Sequence, residues 1–164
     1  MKKQRKVQFR RRREKKTDYK ARRALLESSL PRVVIRKTNR HIISQVVHSK
    51  EAQDFVVCSA NSKELLDYGY DSSLKNITAA YLTGFLIGLK AKKQKIKKAI
   101  IDIGFQRSTK GSKLYAVLKG CVDAGIEIPH SAEIFPSEGR VKGEHLKKKV
   151  DLEKIKKNLM GKNA

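Results

Sequence analysis

Residues 1–23 carry 13 Lys and Arg against two acids, and this run constrains the fold more than any other feature. Over residues 1–16 the only large apolar side chains are Val7 and Phe9. A stretch like this buries nothing in return for the entropy of ordering it, so it is expected to stay disordered until a partner binds. The folded body must therefore begin near residue 17. Across its 164 residues the chain sets 39 Lys+Arg against 16 Asp+Glu, a formal charge of +23, and roughly half of that excess lies in the arm. A small body at this charge repels itself unless a polyanion neutralises it. Nucleic acid and anionic membrane are the polyanions at issue, and on nucleic acid each cation gains from counterion release.

Membrane is disfavoured. The longest apolar stretch, Ile77–Leu89, is too short to span a bilayer and contains Thr and Gly. The basic N-terminus is not followed by the apolar core of a signal peptide. A soluble, intracellular protein is the expectation. Cys58 and Cys121 sit in apolar neighbourhoods and read as buried free thiols, since a disulfide would need an oxidising compartment. Two isolated Cys and four scattered His assemble no zinc site, so no metal or cofactor is expected.

The body reads as α/β, a mixed sheet packed with helices between the basic arm and a basic tail. A helix should start near Thr17-Asp18 and run through Ala21, Ala24 and Leu25 until Pro31 forces a break. The β-branched run Arg32–Lys37, a turn at Thr38-Asn39-Arg40, and strands at Ile42–Val47 and Phe55–Ser59 predict an antiparallel meander. Asn61-Ser62-Lys63-Glu64 has the form of a capping box before a short helix ending near Tyr68-Gly69. A longer helix is predicted from Asn76 to about Lys93, with Gly84 and Gly88 four apart and open to close approach by another element. Ala99–Ile103 reads as a buried central strand. A helix carrying Leu114, Val117, Leu118, Cys121 and Val122 follows, and then a short strand at Ile126–Ile128, a crossover that joins parallel neighbours. Three parts result: a disordered RNA-binding arm (1–16), a globular domain (17–141) and a basic, partly helical tail (142–164) with Leu152, Ile155 and Leu159 at helical spacing.

Three regions have the chemistry for RNA. The first is the arm and its continuation: Arg5, Lys6, Arg10, Arg11, Arg12, Arg13, Lys15, Lys16, Tyr19, Arg22 and Arg23. Arginine offers a planar fork for phosphate and stacks on splayed bases, whereas lysine supplies a point charge. Four consecutive arginines suit a partner that surrounds the chain, as folded RNA does. The second is the loop Gln106, Arg107, Ser108, Thr109, Lys110, Gly111 and Ser112, set before a helix whose free N–H groups attract phosphate. It lacks the order of a P-loop, and an ordinary capped helix start stands beside the phosphate reading. The third is the turn Lys37, Thr38, Asn39, Arg40 and His41.

Two other readings deserve weighing. A magnesium-dependent nuclease would use Asp102 at a strand end, but such sites need several convergent carboxylates, and no spacing selects Asp123, Glu127 or Glu133. A general nucleic-acid-binding protein of the duplex-DNA kind would need a recognition helix with basic and amide residues on one face, which is not seen. No G-x-S-x-G or H-E-x-x-H is present, so neither an enzyme nor a small-molecule substrate is expected.

Several stretches taken in order resemble one family. They are Arg10–Glu14 with Thr17-Asp18-Tyr19, Pro31–Val34 with Arg36–His41, Ser62–Leu65 with Tyr68–Tyr70, Ala79–Gly84, Asp102–Gly104, Thr109–Lys113, Asp123–His130 and Arg140–His145. Together they resemble large-subunit ribosomal protein family eighteen of the universal nomenclature, in its archaeal-type branch, whose eukaryotic counterpart is numbered five. The likeness covers about residues 5–146. It departs at Tyr70, often Trp in this branch, and after His145. The resemblance implies a non-enzymatic protein of the cytoplasmic ribosome that binds 5S rRNA and helps place it in the central protuberance. It also implies large-subunit (23S-type) rRNA and neighbouring ribosomal proteins as partners, among them the other 5S-binding protein. Carried over by position, Arg10–Arg13, Tyr19, the Arg107–Ser112 loop and the Lys37–His41 hairpin would touch RNA.

Overall fold

The computed structural model describes residues 7–51, 53–146 and 150–163. Strands β1 (Arg32–Lys37), β2 (Ile42–Lys50), β3 (Gln53–Asn61) and β4 (Ile100–Asp102) form one sheet in the order β3-β2-β1-β4. β1 and β2, and β2 and β3, pair antiparallel, which is the predicted meander; β4 joins β1 in parallel. The alternation of β1 and β2 turns Val33, Ile35, Ile42, Ser44 and Val46 into the core, where α3 (Ile77–Lys93) and α4 (Lys113–Asp123) cover them. α2 (Tyr19–Glu27) lies over the other face and buries no residue of its own.

α3 starts where Asn76 accepts a hydrogen bond from the Ala79 N–H at 2.7 Å, and the buried Tyr70 hydroxyl donates to the same oxygen. α4 packs on α3 backbone to backbone. A Cβ added to Gly84 would lie 2.0 Å from the Val117 carbonyl oxygen, and one added to Gly120 would lie 2.2 Å from that of Tyr81. Gly84 and Gly88 thus do what their spacing predicts; Gly120, on the facing helix, escaped the reading. Cys121 is buried and donates to the Gly84 carbonyl, and burial pushes its thiol up to about 12. Cys58 is free as well but only half-buried, because it lies on the outer strand.

Several expectations need correction. The segment Ala99–Ile103 yields only the three-residue β4, and its outer side meets a single parallel bridge, Lys98 to Glu127. The strand expected at Ile126–Ile128 is reduced to that bridge. Gly125, at φ +100°, and Pro129, which has no N–H to donate, leave no length for a ladder. The helix after Asn61 is a 3-10 helix, Ser62–Tyr68, with both halves of the capping box made. Residues 10–13 of the arm, expected to lack order, wind one turn (α1, Arg10–Arg13). So short a helix does not stand on its own backbone bonds. Here Arg11 donates to Thr17 at 2.9 Å and Arg12 to Asp18 at 3.0 Å, holding the turn against the start of α2.

After α5 (Glu138–Lys142) the tail does not leave the body. α6 (Leu152–Asn163) seats Ile155 and Leu159, both buried, against α3 and the Ser62–Tyr68 turn. Lys156 lies 4.8 Å above the Tyr81 ring and Lys162 lies 5.1 Å from that of Tyr68, so two of the tail's cations are used within the fold.

Gly84→Ala should destabilise the protein by about 1–3 kcal/mol through overpacking, lowering Tm by roughly 5 °C for a chain of this size. Gly161→Ala in α6, where a Cβ meets nothing within 4 Å, should be neutral or slightly stabilising. Thermal unfolding of both variants checks the pair.

Candidate nucleic-acid interface

Because β1 and β4 are parallel, both end at the same side of the sheet. The turn after β1 and the loop after β4 therefore emerge side by side, and α4 begins at that same end. Ligands of α/β sheets bind at the carboxyl ends of strands for this reason. Lys37, Arg107, Thr109, Ser112, Lys113 and Arg140 line one concavity there, with Ile77 and Leu114 at its floor. Two regions predicted separately thus become one site. Lys113 and Arg140 join this lining without having been singled out by their chemistry, although both lie in stretches that carry the family resemblance.

No acidic side chain lines this concavity. Lys113 is pushed below its ordinary value by partial burial and by repulsion from Lys37 and Lys75. Ser112 caps α4, yet its side chain makes no capping bond and its buried hydroxyl has no partner among the described residues. A phosphate here would meet converging cations and the positive end of an eleven-residue helix.

Several other predicted residues in these loops make bonds within the fold. The Thr38 hydroxyl accepts from the His41 N–H at 2.9 Å and donates to the His41 carbonyl, closing the turn and leaving Asn39 and Arg40 exposed at its tip. Gln106 donates to the Ile35 carbonyl at 3.0 Å. The Ser108 hydroxyl is bonded to Tyr115. Lys110 pairs with Glu133 at 2.9 Å in an exposed bridge that phosphate can displace at little cost. Gly111, at φ +69°, turns its N–H to the Ile134 carbonyl and aims the chain into α4.

In the arm, Arg5 and Lys6 lie outside the described residues. Arg10 and Lys16 share Glu14, at 3.6 and 2.9 Å, while Arg13 and Lys15 are exposed. Phe9 and Tyr19 form a tilted aromatic pair with centroids 5.2 Å apart, both partly open to solvent. Arg23 pairs loosely with Glu27 at 3.6 Å. Arg22 has a different task. It donates to both oxygens of Asp54, at 2.5 and 3.0 Å, and so anchors α2 to the sheet.

Asp54 belongs to a chain of ion pairs that also settles the role of Asp102. Arg32, 3% exposed, reaches Asp54 at 2.7 Å and Asp102 at 2.9 Å. Arg36 meets the other Asp102 oxygen at 3.2 Å, and the Gly104 N–H donates to that oxygen at 2.9 Å. With two guanidiniums on it, Asp102 is a poor magnesium ligand, since a divalent cation would have to displace or repel both. Its work is to tie β1 to β4. Among the described residues no group of three His, Cys, Asp or Glu is placed to hold a metal, and no helix is long and apolar enough to cross a membrane.

Comparison with known proteins bears on the same residues. The chain matches the family model described as ribosomal large subunit proteins 60S L5 and 50S L18 over residues 3–97 and 88–131. It is 57% identical over 141 residues to the large ribosomal subunit protein uL18 of Korarchaeum cryptofilum, covering 86% of this chain and 72% of that one. It is 52% identical over 140 residues to uL18 of Methanoregula boonei (85% and 80%) and 50% identical over 142 residues to that of Caldivirga maquilingensis (86% and 69%).

The anchor of α2 has a signed pH dependence. Burial disfavours the Asp54 carboxylate, but hydrogen bonds from Arg22, Ser49 and Arg32 overcome it and lower its pKa from 3.8 to about 2. Its stabilisation is therefore complete above the unfolded value and fades as pH falls towards 2. The stability difference between wild type and Asp54→Asn should be largest above about pH 4 and shrink towards pH 2. Denaturant titrations across that range that stay parallel would contradict the anchor.

Proposed function

The chain belongs to the ribosomal large-subunit protein family of 60S L5 and 50S L18, and on that ground we propose that it binds 5S rRNA and fastens it to the 23S-type rRNA in the central protuberance. Membership makes it a structural constituent of the large ribosomal subunit, cytoplasmic and not an enzyme. The observation that carries the proposal is the concavity at the start of α4 that Lys37, Arg107, Lys113 and Arg140 line with no acidic side chain among them. It supports a seat for RNA backbone phosphate, made by fixed elements of the body.

The arm complements that seat. Its exposed arginines and the Phe9–Tyr19 pair offer forks for phosphate and rings for unstacked bases, the vocabulary of structured RNA. Its ion pairs to Glu14 and Asp18 lie at the surface, where water and salt screen them, so phosphates can replace them. In this reading the body sets position and the arm wraps the RNA. Neighbouring ribosomal proteins, including the other 5S-binding protein, complete the surroundings.

The double variant Arg107→Ala/Lys113→Ala should bind 5S rRNA more weakly and reduce the slope of log affinity against log salt by about 1–2. Filter binding across a salt series reads both. An unchanged slope would place the loop away from the RNA.

A further inference from the structure

We infer that the open edge of β3, from Gln53 to Cys58, receives an extended strand of a neighbouring protein in the large subunit, an inference that rests on the chain's place in that subunit. β3 pairs with β2 on one side, and no strand among the described residues pairs with the other. Phe55, Val56 and Val57 follow one another along it and are 53%, 54% and 38% exposed. Protected edges carry Lys, Pro or a covering element. Here Lys90 reaches the far end, donating to the Ser59 carbonyl at 2.8 Å, and α2 reaches Asp54 through Arg22 on one face, while no strand among the described residues and no Lys or Pro of β3 itself guards the edge from 53 to 58.

Charge selects the occupant. The chain has 39 cations in 164 residues, yet none from 51 to 62, where Glu51 and Asp54 supply the only charges. The strand itself offers RNA no cation, and those that reach it from other elements, Arg22 and Arg32 on Asp54 and Lys90 at Ser59 and Glu64, are already engaged. A second copy is opposed by the +23 on each chain. The shape argues the same way. The ladder slips between Val46 and Val47, so Val46 faces Cys58 while Val47 faces Val56, leaving Val57 as the extra residue. Apolar side chains then stand on both faces of the strand, which suits edge-on pairing better than a partner laid flat on one face. Strand addition supplies backbone bonds along 53–58 and apolar contact to either side. The matching strand is apolar, with a cation placed to meet Glu51.

The test places a photoreactive benzoylphenylalanine at the exposed position 55 of the full chain and assembles it into large subunits. Irradiation should yield an adduct with one ribosomal protein that survives ribonuclease. The amides of 53–58 should exchange more slowly in the subunit than in the complex with 5S rRNA alone. Val56→Lys/Val57→Lys should bind 5S rRNA as tightly as wild type yet occupy subunits about tenfold less in competition. An adduct with RNA, an adduct between two copies, or free exchange of 53–58 in the subunit would each overturn the inference. Failure of the chain to enter subunits at all would count instead against its ribosomal placement.

Discussion

The close contact between α3 and α4 sets the depth of everything above the sheet. Two glycines, Gly84 and Gly120, let backbone meet backbone where any side chain would collide with a carbonyl. That contact fixes α4 along α3, and with it the position of Ser112 and Lys113 beside Lys37. A longer separation would move the start of α4 away from the carboxyl ends of β1 and β4. The placing of these cations thus follows from a packing constraint among residues that lie outside the concavity.

The second constraint is how the body uses its few acids. Asp102 and Asp54 are claimed by Arg32, Arg36 and Arg22, Glu64 by Lys90, and Asp123 by the Tyr81 hydroxyl at 2.6 Å. These carboxylates hold strands and helices together. The cations lining the start of α4 have no acid among them, and partial burial together with repulsion from Lys37 and Lys75 lowers the pKa of Lys113. Such a surface is stable enough to fold and gains by meeting a polyanion. The same distribution explains why Asp102, at a strand end where a nuclease would keep a metal ligand, is structural.

Much of this was legible in the residues. The strand run at Arg32–Lys37, the Asn61 box and the Gly84–Gly88 spacing each state a local rule that the fold obeys. The failures are of another kind. Ile126–Ile128 has strand composition but too little length between Gly125 and Pro129. Arg22 reads as one more cation of a basic run, and only its distance from Asp54, 32 positions away in sequence, reveals an anchor. Lys113 and Arg140 carry no local signal beyond the family resemblance, because nothing in the sequence around them says that two loops and α5 converge. The tail gave its helical spacing but not its partner, since the receiving surface on α3 is assembled from distant residues.

The most direct measurement of the central claim is equilibrium binding of the full chain to 5S rRNA, with tRNA and duplex DNA as competitors at equal nucleotide concentration and near-physiological salt. 5S rRNA should keep the protein while both competitors fail to displace it, because a fixed seat and a wrapping arm would read the shape of one RNA. Equal displacement by all three polyanions would contradict it, reducing the interface to charge alone.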